Sequence, residues 1–386
     1  MHFEFSTADR ILFGPGTLGQ VAPAAAEMGD RVLLVVGRNT DRSAPLIDAL
    51  KSRGMSVSVF SVQGEPTTET AASGLEIARK AKSTLVIAMG GGSVVDAGKV
   101  IAALLTNTEE MATYLEVVGE GKPIQVRPAP WIAVPTTAGT GAEVTQNAVL
   151  GSPQYRVKVS MRSPLMLPRL AVVDPELTYF LPPEITASTG LDALTQLLEA
   201  FVSRQANPMT DGICREGLVR AARSLPRAFR NGEDAKAREE MCLAGLFGGL
   251  ALANAKLGAV HGLAAPLGGM FSAPHGVVCA RLLPPVMAAN VAALRRRGNA
   301  AGTNRFAEAA RILTGDPSAR AEDGVAWVEA LCRELNVDPL STFGVDPAAF
   351  PDIISKSRQA SSMKGNPASL TDAELTRILK RAVVAS

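Results

Sequence analysis

Apolar runs and helically spaced segments alternate along the first half of the chain. Residues 31–36 form an apolar run of strand length, and residues 57–62 and 84–89 predict two further strands. Residues 43–54 and 68–81 have the spacing of helices. This alternation is typical of a parallel sheet whose strands are joined by crossover helices. In such sheets ligands bind beyond the carboxyl ends of the strands.

The amino-terminal residues 3–13 alternate apolar and polar positions up to the turn Gly14-Pro15-Gly16, which predicts a further strand. An exposed strand there would offer an edge for pairing with another subunit. Residues 131–134 predict one more short strand.

Strand signals fade from Pro182 onward, and the second half predicts helices. We place these at residues 184–202, 207–224, 235–255, 277–293, 304–313, 324–335 and 371–384. With 386 residues two domains are expected. We predict an α/β Rossmann-like domain at 1–180 and an all-helical bundle at 181–386.

Composition narrows the function classes. Apolar residues make up 47% and charged residues 20%, which is typical of a globular protein. The net charge is +2 and positive and negative residues are interspersed, so we expect no nucleic-acid partner. The amino terminus lacks a signal-peptide pattern, and no uninterrupted apolar run has membrane-spanning length. The cysteines form no close pairs, which favours a reducing, cytoplasmic location; they are Cys214, Cys242, Cys279 and Cys332.

Two glycine-rich loops each follow a predicted strand. Met89-Gly90-Gly91-Gly92-Ser93 precedes a predicted helix at 96–105, and residues 135–143 are dense in hydroxyls and glycines. Glycines let a backbone approach a phosphate, and a helix amino terminus supplies N–H groups. Alone, the first loop fits a tight turn as well as a phosphate site, and the second is better explained as a threonine-rich capping turn. The two together favour a dinucleotide.

The loop after the strand at 31–36 bears on the choice of cofactor. It carries Arg38 at its tip and no acid, and arginine accommodates the 2′-phosphate of NADP. Asp41 nearby is still available for an adenine ribose.

Two of the three histidines, His261 and His275, lie in the second half with Asp192 and Gln196, which are one helical turn apart. Pro266 and the residues after it are expected to break any helix joining the two histidines. A carboxylate, an amide and two imidazoles form a donor set for a divalent metal. The alternative is a helix-capping Asp and ordinary polar loop histidines.

At these residues the chain resembles the iron-containing (group III) alcohol dehydrogenase family, a relative of glycerol dehydrogenase and dehydroquinate synthase. The matching stretches lie in family order at 13–16, 90–99, 135–145, 174–178, 190–195, 260–262 and 274–276. The resemblance implies a dinucleotide-binding domain, a helical domain of the dehydroquinate synthase type and a cleft between them.

The resemblance also implies roles for individual residues. The residues that the resemblance assigns to cofactor binding are Gly91, Gly92, Ser93, Asp96, Thr136, Thr137, Thr140, Lys158 and Leu177. Arg38 joins them as the candidate contact for a 2′-phosphate. The family's four metal-ligand positions fall on Asp192, Gln196, His261 and His275. Gln196 replaces a histidine found in most members, which leaves zinc, iron, another divalent ion or an empty site open. Ala265 replaces a histidine near the substrate, so no catalytic acid–base residue is assigned.

These observations predict an NAD(P)-dependent oxidoreductase that interconverts a small alcohol with an aldehyde or ketone, with a divalent metal polarising the substrate oxygen. We expect a homodimer or a higher homo-oligomer. Alternatives are a maleylacetate reductase, a lyase of the dehydroquinate synthase type, and a nucleotide-binding protein that has lost catalysis.

Overall fold

The computed structural model describes residues 2–155 and 157–384, and these residues form two compact units. An α/β unit comprises Ser6–Thr137 and Gly141–Tyr179. A helical unit comprises the residues from Phe180 onward, together with the short segment Ala138–Thr140 and the first few residues of the chain. The predicted order of an α/β part followed by a largely helical part is confirmed.

The α/β unit is built on a parallel sheet. Its strands are β1 (Ile11–Phe13), β2 (Arg31–Val36), β3 (Ser56–Ser61), β4 (Leu85–Gly90), β5 (Trp131–Pro135), β6 (Asn147–Ser152), β7 (Val157–Arg162) and β8 (Leu170–Val173). Its helices are α1 (Val21–Ala26), α2 (Ala44–Lys51), α3 (Thr68–Lys80), α4 (Gly92–Thr106) and α5 (Met111–Tyr114). Within the described residues, the order β1-β8-β5-β4-β2-β3 makes a six-stranded sheet in which all neighbours are parallel.

The central strands read as continuous apolar runs because both faces of the sheet are covered. In β2, Leu33 and Val35 belong to the core formed with α3 and α4, whereas Val32, Leu34 and Val36 belong to the core formed with α1 and α2. Successive side chains of a strand point to opposite faces, so one run supplies both cores.

Strands β6 and β7 form a separate antiparallel pair. The buried Lys99 of α4 ties the segment before this pair to the sheet, because its ammonium donates to the backbone oxygens of Ala142, Thr145 and Asn147 at 2.9, 2.8 and 2.6 Å. Burial lowers the pKa of Lys99 to about 8, against the nearby charges of Asp96 and Glu143.

The structure corrects several predicted boundaries of the α/β unit. The strand predicted at residues 3–13 is reduced to Ile11–Phe13, the part that pairs with β8. Helix α4 begins four residues earlier than predicted, at Gly92 inside the glycine-rich loop. Strands β6, β7 and β8 were not predicted.

The helical unit contains α6 (Pro183–Val202), α7 (Pro208–Arg230), α8 (Ala235–Ala255), α9 (Ala259–Met270), α10 (His275–Arg296), α11 (Ala300–Thr314), α12 (Ala321–Glu334), α13 (Phe350–Gln359) and α14 (Asp372–Val383). Helices α6, α7 and α8 pack against one another, and α10 packs on α6 and α9. The predicted break between His261 and His275 is confirmed, because α9 ends at Met270 and α10 begins at His275 after Pro274. Pro266 does not cause this break, since it lies inside α9.

One helix among the described residues, α10, is long and apolar enough to cross a membrane by length and composition. Of its apolar window, 78% is buried inside the protein. Helices α8 and α9 pass the same criterion only as a pair, and the chain bends by 101° between them. The apolar character of α10 is therefore that of a core helix.

Candidate nucleotide and metal sites

The carboxyl ends of β2, β4 and β5 are aligned. Val36 lies opposite Met89, and Gly90 lies opposite Pro135, so the loops that follow these strands leave the sheet side by side. From β2 the chain passes to β3 on one side and then returns to β4 on the other side of β2. This reversal makes the carboxyl ends of β2 and β4 a switch point of the kind at which nucleotides bind.

A cavity of about 530 Å³, including its open mouth, lies at this edge of the α/β unit. Its wall consists of Val36, Gly37, Arg38, Asn39, Arg42, Ser43, Met89, Gly90, Gly91 and Thr136. Helix α4 starts at the adjacent Gly92, with Gly91 as its N-cap, so its amino terminus supplies positive dipole beside the cavity. The wall combines backbone amides with two guanidinium groups, a composition suited to phosphate.

Of the predicted cofactor residues, Arg38, Gly91 and Thr136 line this cavity, and Gly92, Ser93 and Thr137 are their immediate neighbours in sequence. Arg42, which we did not single out from the sequence, also lines it. Arg38 and Arg42 flank the loop after β2 and are exposed.

The other predicted cofactor residues have partners elsewhere. Asp96 accepts a hydrogen bond of 3.0 Å from the Val149 amide, and Lys158 forms a 2.8 Å ion pair with Glu65. Leu177 packs on the core that contains β2. The carbonyl of Thr140 belongs to the helical unit, where it accepts a hydrogen bond from Gln196. None of these four lines the cavity.

The helical unit brings Asp192, His261 and His275 together from α6, α9 and α10. Asp192 Oδ1 lies 3.3 Å from His261 Nε2 and 3.7 Å from His275 Nε2. Asp192 and His261 are buried, while His275 keeps 37% of its side chain exposed. The cluster is thus closed on one side and accessible on the His275 side.

Two more side chains complete the cluster. Cys279 Sγ lies 3.8 Å from His261 Nε2 and 3.6 Å from His275 Nε2. Gln196 Nε2 donates to Asp192 Oδ2 at 3.1 Å. One donor atom from each of Asp192, His261, His275 and Cys279 lies within 4.8 Å of the other three. A carboxylate oxygen, two imidazole nitrogens and a thiol sulfur fit a borderline divalent metal such as zinc or ferrous iron.

A second carboxylate, that of Glu199, orients His261. Glu199 Oε2 lies 2.8 Å from His261 Nδ1, and the same carboxylate accepts from the backbone amides of Val260 and His261 at 2.7 and 3.3 Å. With the Nδ1 proton held by Glu199, loss of the Nε2 proton would free the Nε2 lone pair for a metal ion beside Asp192. Carboxylates in this outer position are regular features of histidine metal sites.

Electrostatics in the cluster favour charged forms despite burial. Burial opposes charge on Asp192, but the hydrogen bond from His261 and the charge of His275 outweigh it, so the pKa of the carboxyl is lowered. Burial likewise opposes charge on His261, yet Cys279, Asp192 and Glu199 together raise its pKa well above the ordinary value. The two imidazoles lower the pKa of the Cys279 thiol in spite of burial. Opposite charges on the imidazoles and on the neighbouring oxygen and sulfur atoms thus stabilise one another within the cluster.

Glycines place the helices that carry the histidines. A side chain at Gly276 would overlap the carbonyl of Ser188 on α6, so α10 can start against α6 only with glycine after His275. A Cβ at Gly262 would lie 2.8 Å from the Met363 side chain. Both His-Gly pairs therefore allow close packing next to the donor nitrogen.

Sequence reasoning missed Cys279, Glu199 and Arg42. Glu199 was detectable, because it lies seven residues after Asp192 and three after Gln196 and so shares their helix face. Cys279 lies four residues after His275, which places both on one face only if the helix begins at His275.

Comparison with known proteins identifies the family of the chain. The model of the iron-containing alcohol dehydrogenase family matches residues 8–175, and that of the C-terminal part of the Fe-containing alcohol dehydrogenase family matches residues 186–383. Alcohol dehydrogenase 4 of Saccharomyces cerevisiae is 33% identical over 379 residues, 96% of each chain.

Two solved structures are similar over nearly the whole chain. That of a 1,3-propanediol oxidoreductase has a TM-score of 0.92 at 30% identity and covers 99% of this chain and 100% of its own. That of a sulfoacetaldehyde reductase from Bifidobacterium kashiwanohense in complex with NAD+ has a TM-score of 0.88 at 29% identity, with 100% of both chains covered.

The chain therefore belongs to the iron-containing alcohol dehydrogenase family. It is an oxidoreductase that interconverts alcohols with aldehydes or ketones and uses NAD(P).

Proposed function

We propose that the protein reduces a small aldehyde or ketone with NADPH, and runs the reverse oxidation, in a reaction that depends on a divalent metal held by Asp192, His261 and His275. The observation that carries the metal dependence is the convergence of these three side chains, with the nearest donor atoms 3.3 and 3.7 Å apart. The ion would act as a Lewis acid on the substrate oxygen.

The nicotinamide cofactor supplies or accepts the hydride, and the protein contributes binding and orientation. We assign the pyrophosphate to the loop at Gly91, Gly92 and Ser93, where the amino terminus of α4 favours negative charge. Thr136 and Thr137, at the end of the neighbouring β5, add hydroxyl contacts. Asp96, Thr140, Lys158 and Leu177 remain family-derived candidates for the cofactor.

The preference for NADP over NAD is supported by Arg38 and by Arg42, which lines the same cavity. Two guanidinium groups beside a ribose site favour a 2′-phosphate, because arginine binds phosphate oxygens in a bidentate fashion. The cavity therefore has positive charge where an NAD-specific site would carry an acid.

No side chain is assigned as the catalytic acid–base. Position 265 on α9, one turn after His261, is Ala265. We propose that the proton travels between the substrate oxygen and solvent through water on the exposed side of His275.

Absorbance of the nicotinamide, followed with NADPH and NADH across a panel of aldehydes and ketones, tests the reaction. We expect turnover with NADPH that a chelator abolishes and added metal restores. No turnover by metal-loaded protein would refute the proposal, and activity that survives the chelator would favour a reductase of the maleylacetate type.

Arginine variants test the cofactor preference. Arg38→Ala and Arg42→Ala should each raise the KM for NADPH by about tenfold or more and leave that for NADH nearly unchanged, as expected for loss of a charged hydrogen bond. Arg53→Ala, which removes an exposed arginine outside the cavity wall, is the matched control. Equal changes for both cofactors would contradict the NADP preference.

We further propose that the protein is a cytoplasmic homodimer and that the chain divides into two functional parts near residue 180. The position of β1 at an edge of the sheet in the described residues supports the dimer. Light scattering of the purified protein gives the oligomeric state directly, and a monomer would refute this part.

A further inference from the structure

Cys279 occupies a position in the metal cluster that the sequence did not suggest. It lies on α10 one helical turn after His275, and its side chain is fully buried against both imidazoles. Residues four apart share a helix face, so α10 presents an imidazole and a thiol to the same point.

The distances between donor atoms match those of a four-coordinate site. With metal–nitrogen and metal–oxygen bonds of about 2.0 Å, a metal–sulfur bond of about 2.3 Å and tetrahedral angles, nitrogen and oxygen ligand atoms lie about 3.3 Å apart and nitrogen and sulfur ligand atoms about 3.5 Å apart. The observed oxygen–nitrogen distances are 3.3 and 3.7 Å. The sulfur–nitrogen distances are 3.6 and 3.8 Å. Four of the six distances among these atoms thus fit one tetrahedral ion, and all six lie within 4.8 Å.

Gln196 presents its amide nitrogen to the cluster and turns its amide oxygen away. Its amide nitrogen donates to Asp192 Oδ2 at 3.1 Å and to the Thr140 carbonyl at 3.3 Å. Turning the amide over would set its oxygen against two acceptor oxygens. Its oxygen Oε1 instead faces α8, where it would lie 2.9 Å from a Cβ added at Gly248. The amide therefore presents a donor group to the cluster.

We propose that Cys279, as a thiolate, is the fourth protein ligand of the metal ion, and that Gln196 is a positioning residue that orients Asp192. This proposal rests on the metal site of the proposed function. Binding forms the metal–sulfur bond and releases the thiol proton to solvent. A thiolate selects zinc, ferrous iron or cobalt over the harder magnesium and manganese.

Cobalt(II) provides a test that does not depend on activity. The chelator-stripped full-length protein is loaded with cobalt(II), and its near-ultraviolet absorption is recorded, where thiolate bound to cobalt gives an intense charge-transfer band. We expect this band in the unchanged protein and in Cys214→Ala, which removes another fully buried cysteine of the helical unit. We expect its loss in Cys279→Ala.

Affinity provides the second readout. Competition against a chromophoric chelator should show zinc affinity at least about tenfold weaker in Cys279→Ala than in Cys214→Ala, the lower end of the loss seen when even outer partners of metal sites are removed. Introducing Gln196→His into Cys279→Ala should recover part of that loss.

The outcomes separate the two proposals. Stoichiometric cobalt binding without the charge-transfer band in the unchanged protein overturns the role of Cys279 and leaves the metal site standing. Absence of any cobalt or zinc binding overturns both. The band in the unchanged protein needs no variant, so misfolding of Cys279→Ala cannot obscure the result.

Discussion

Gly98 sets the distance between α4 and the sheet, and replacing it with alanine should displace the nucleotide loop. A Cβ at Gly98 would lie 2.6 Å from the Cβ of Ala88, which is itself completely buried in β4. Both atoms are fixed directly to the backbone, so no side-chain rotation relieves the overlap. Carbon atoms in contact are normally about 3.5–4.0 Å apart, so α4 must move away by about 1 Å.

The expected cost follows from two opposing terms. Alanine in place of glycine within a helix stabilises it by about 1 kcal/mol. Overpacking of a core costs about 1–3 kcal/mol. Gly98→Ala should therefore be neutral to destabilising by about 2 kcal/mol. Since α4 begins at Gly92, the same movement shifts the pyrophosphate loop and should raise the KM for the cofactor.

Gly212→Ala is the matched control, because Gly212 also lies within a helix, α7, but has no atom within 4 Å of an added Cβ. Thermal unfolding should show Gly212→Ala slightly more stable than the unchanged protein and Gly98→Ala less stable than Gly212→Ala. Adding Ala88→Gly to Gly98→Ala should restore both stability and cofactor KM. If Gly98→Ala matches Gly212→Ala in both measurements, the close contact does not limit the position of α4.

Three further changes address the buried charges. Lys99→Met should destabilise the α/β unit by about 3–5 kcal/mol in denaturant titration, because it leaves buried carbonyls without a donor; an unchanged midpoint would contradict this. Burial raises the pKa of Glu143 to about 7, so its protonated form stabilises the fold at low pH, and that contribution is lost as pH rises from about 4.5 through 7. Glu143→Gln should accordingly gain up to about 3 kcal/mol relative to the unchanged protein between these pH values, and a constant difference would refute the assignment. Glu199→Gln should weaken zinc binding about 10–100-fold by loosening His261, and equal affinity would show that the carboxylate does not orient the ring.

Periodicity predicted the elements whose packing is local in sequence. Strands β2, β4 and β5 are runs buried on both faces, and α8 was predicted at its observed bounds because its small residues continue without a turn signal. The amino-terminal strand was overextended, since alternation shows which residues suit a strand but not where a partner lies. Only Ile11–Phe13 meets β8.

The residues that α6 contributes to the metal cluster could be recognised from the sequence, whereas the approach of the two histidines to them could not. Asp192, Gln196 and Glu199 share a face by helical spacing alone. His275 comes to that face because Gly276 admits Ser188 of α6, and Gly262 beside His261 admits Met363 from a distant segment. No local pattern encodes these contacts.

Cys279 shows how a small error in a boundary hides chemistry. A helix predicted to start at residue 277 leaves His275 outside it, so the spacing between His275 and Cys279 carries no geometric meaning. With α10 starting at His275, the same spacing becomes one helical turn and places a thiol beside the imidazole. The apparent weakness of the donor set, an amide in place of a histidine, then disappears, because the sulfur on α10 supplies the donor that α6 lacks.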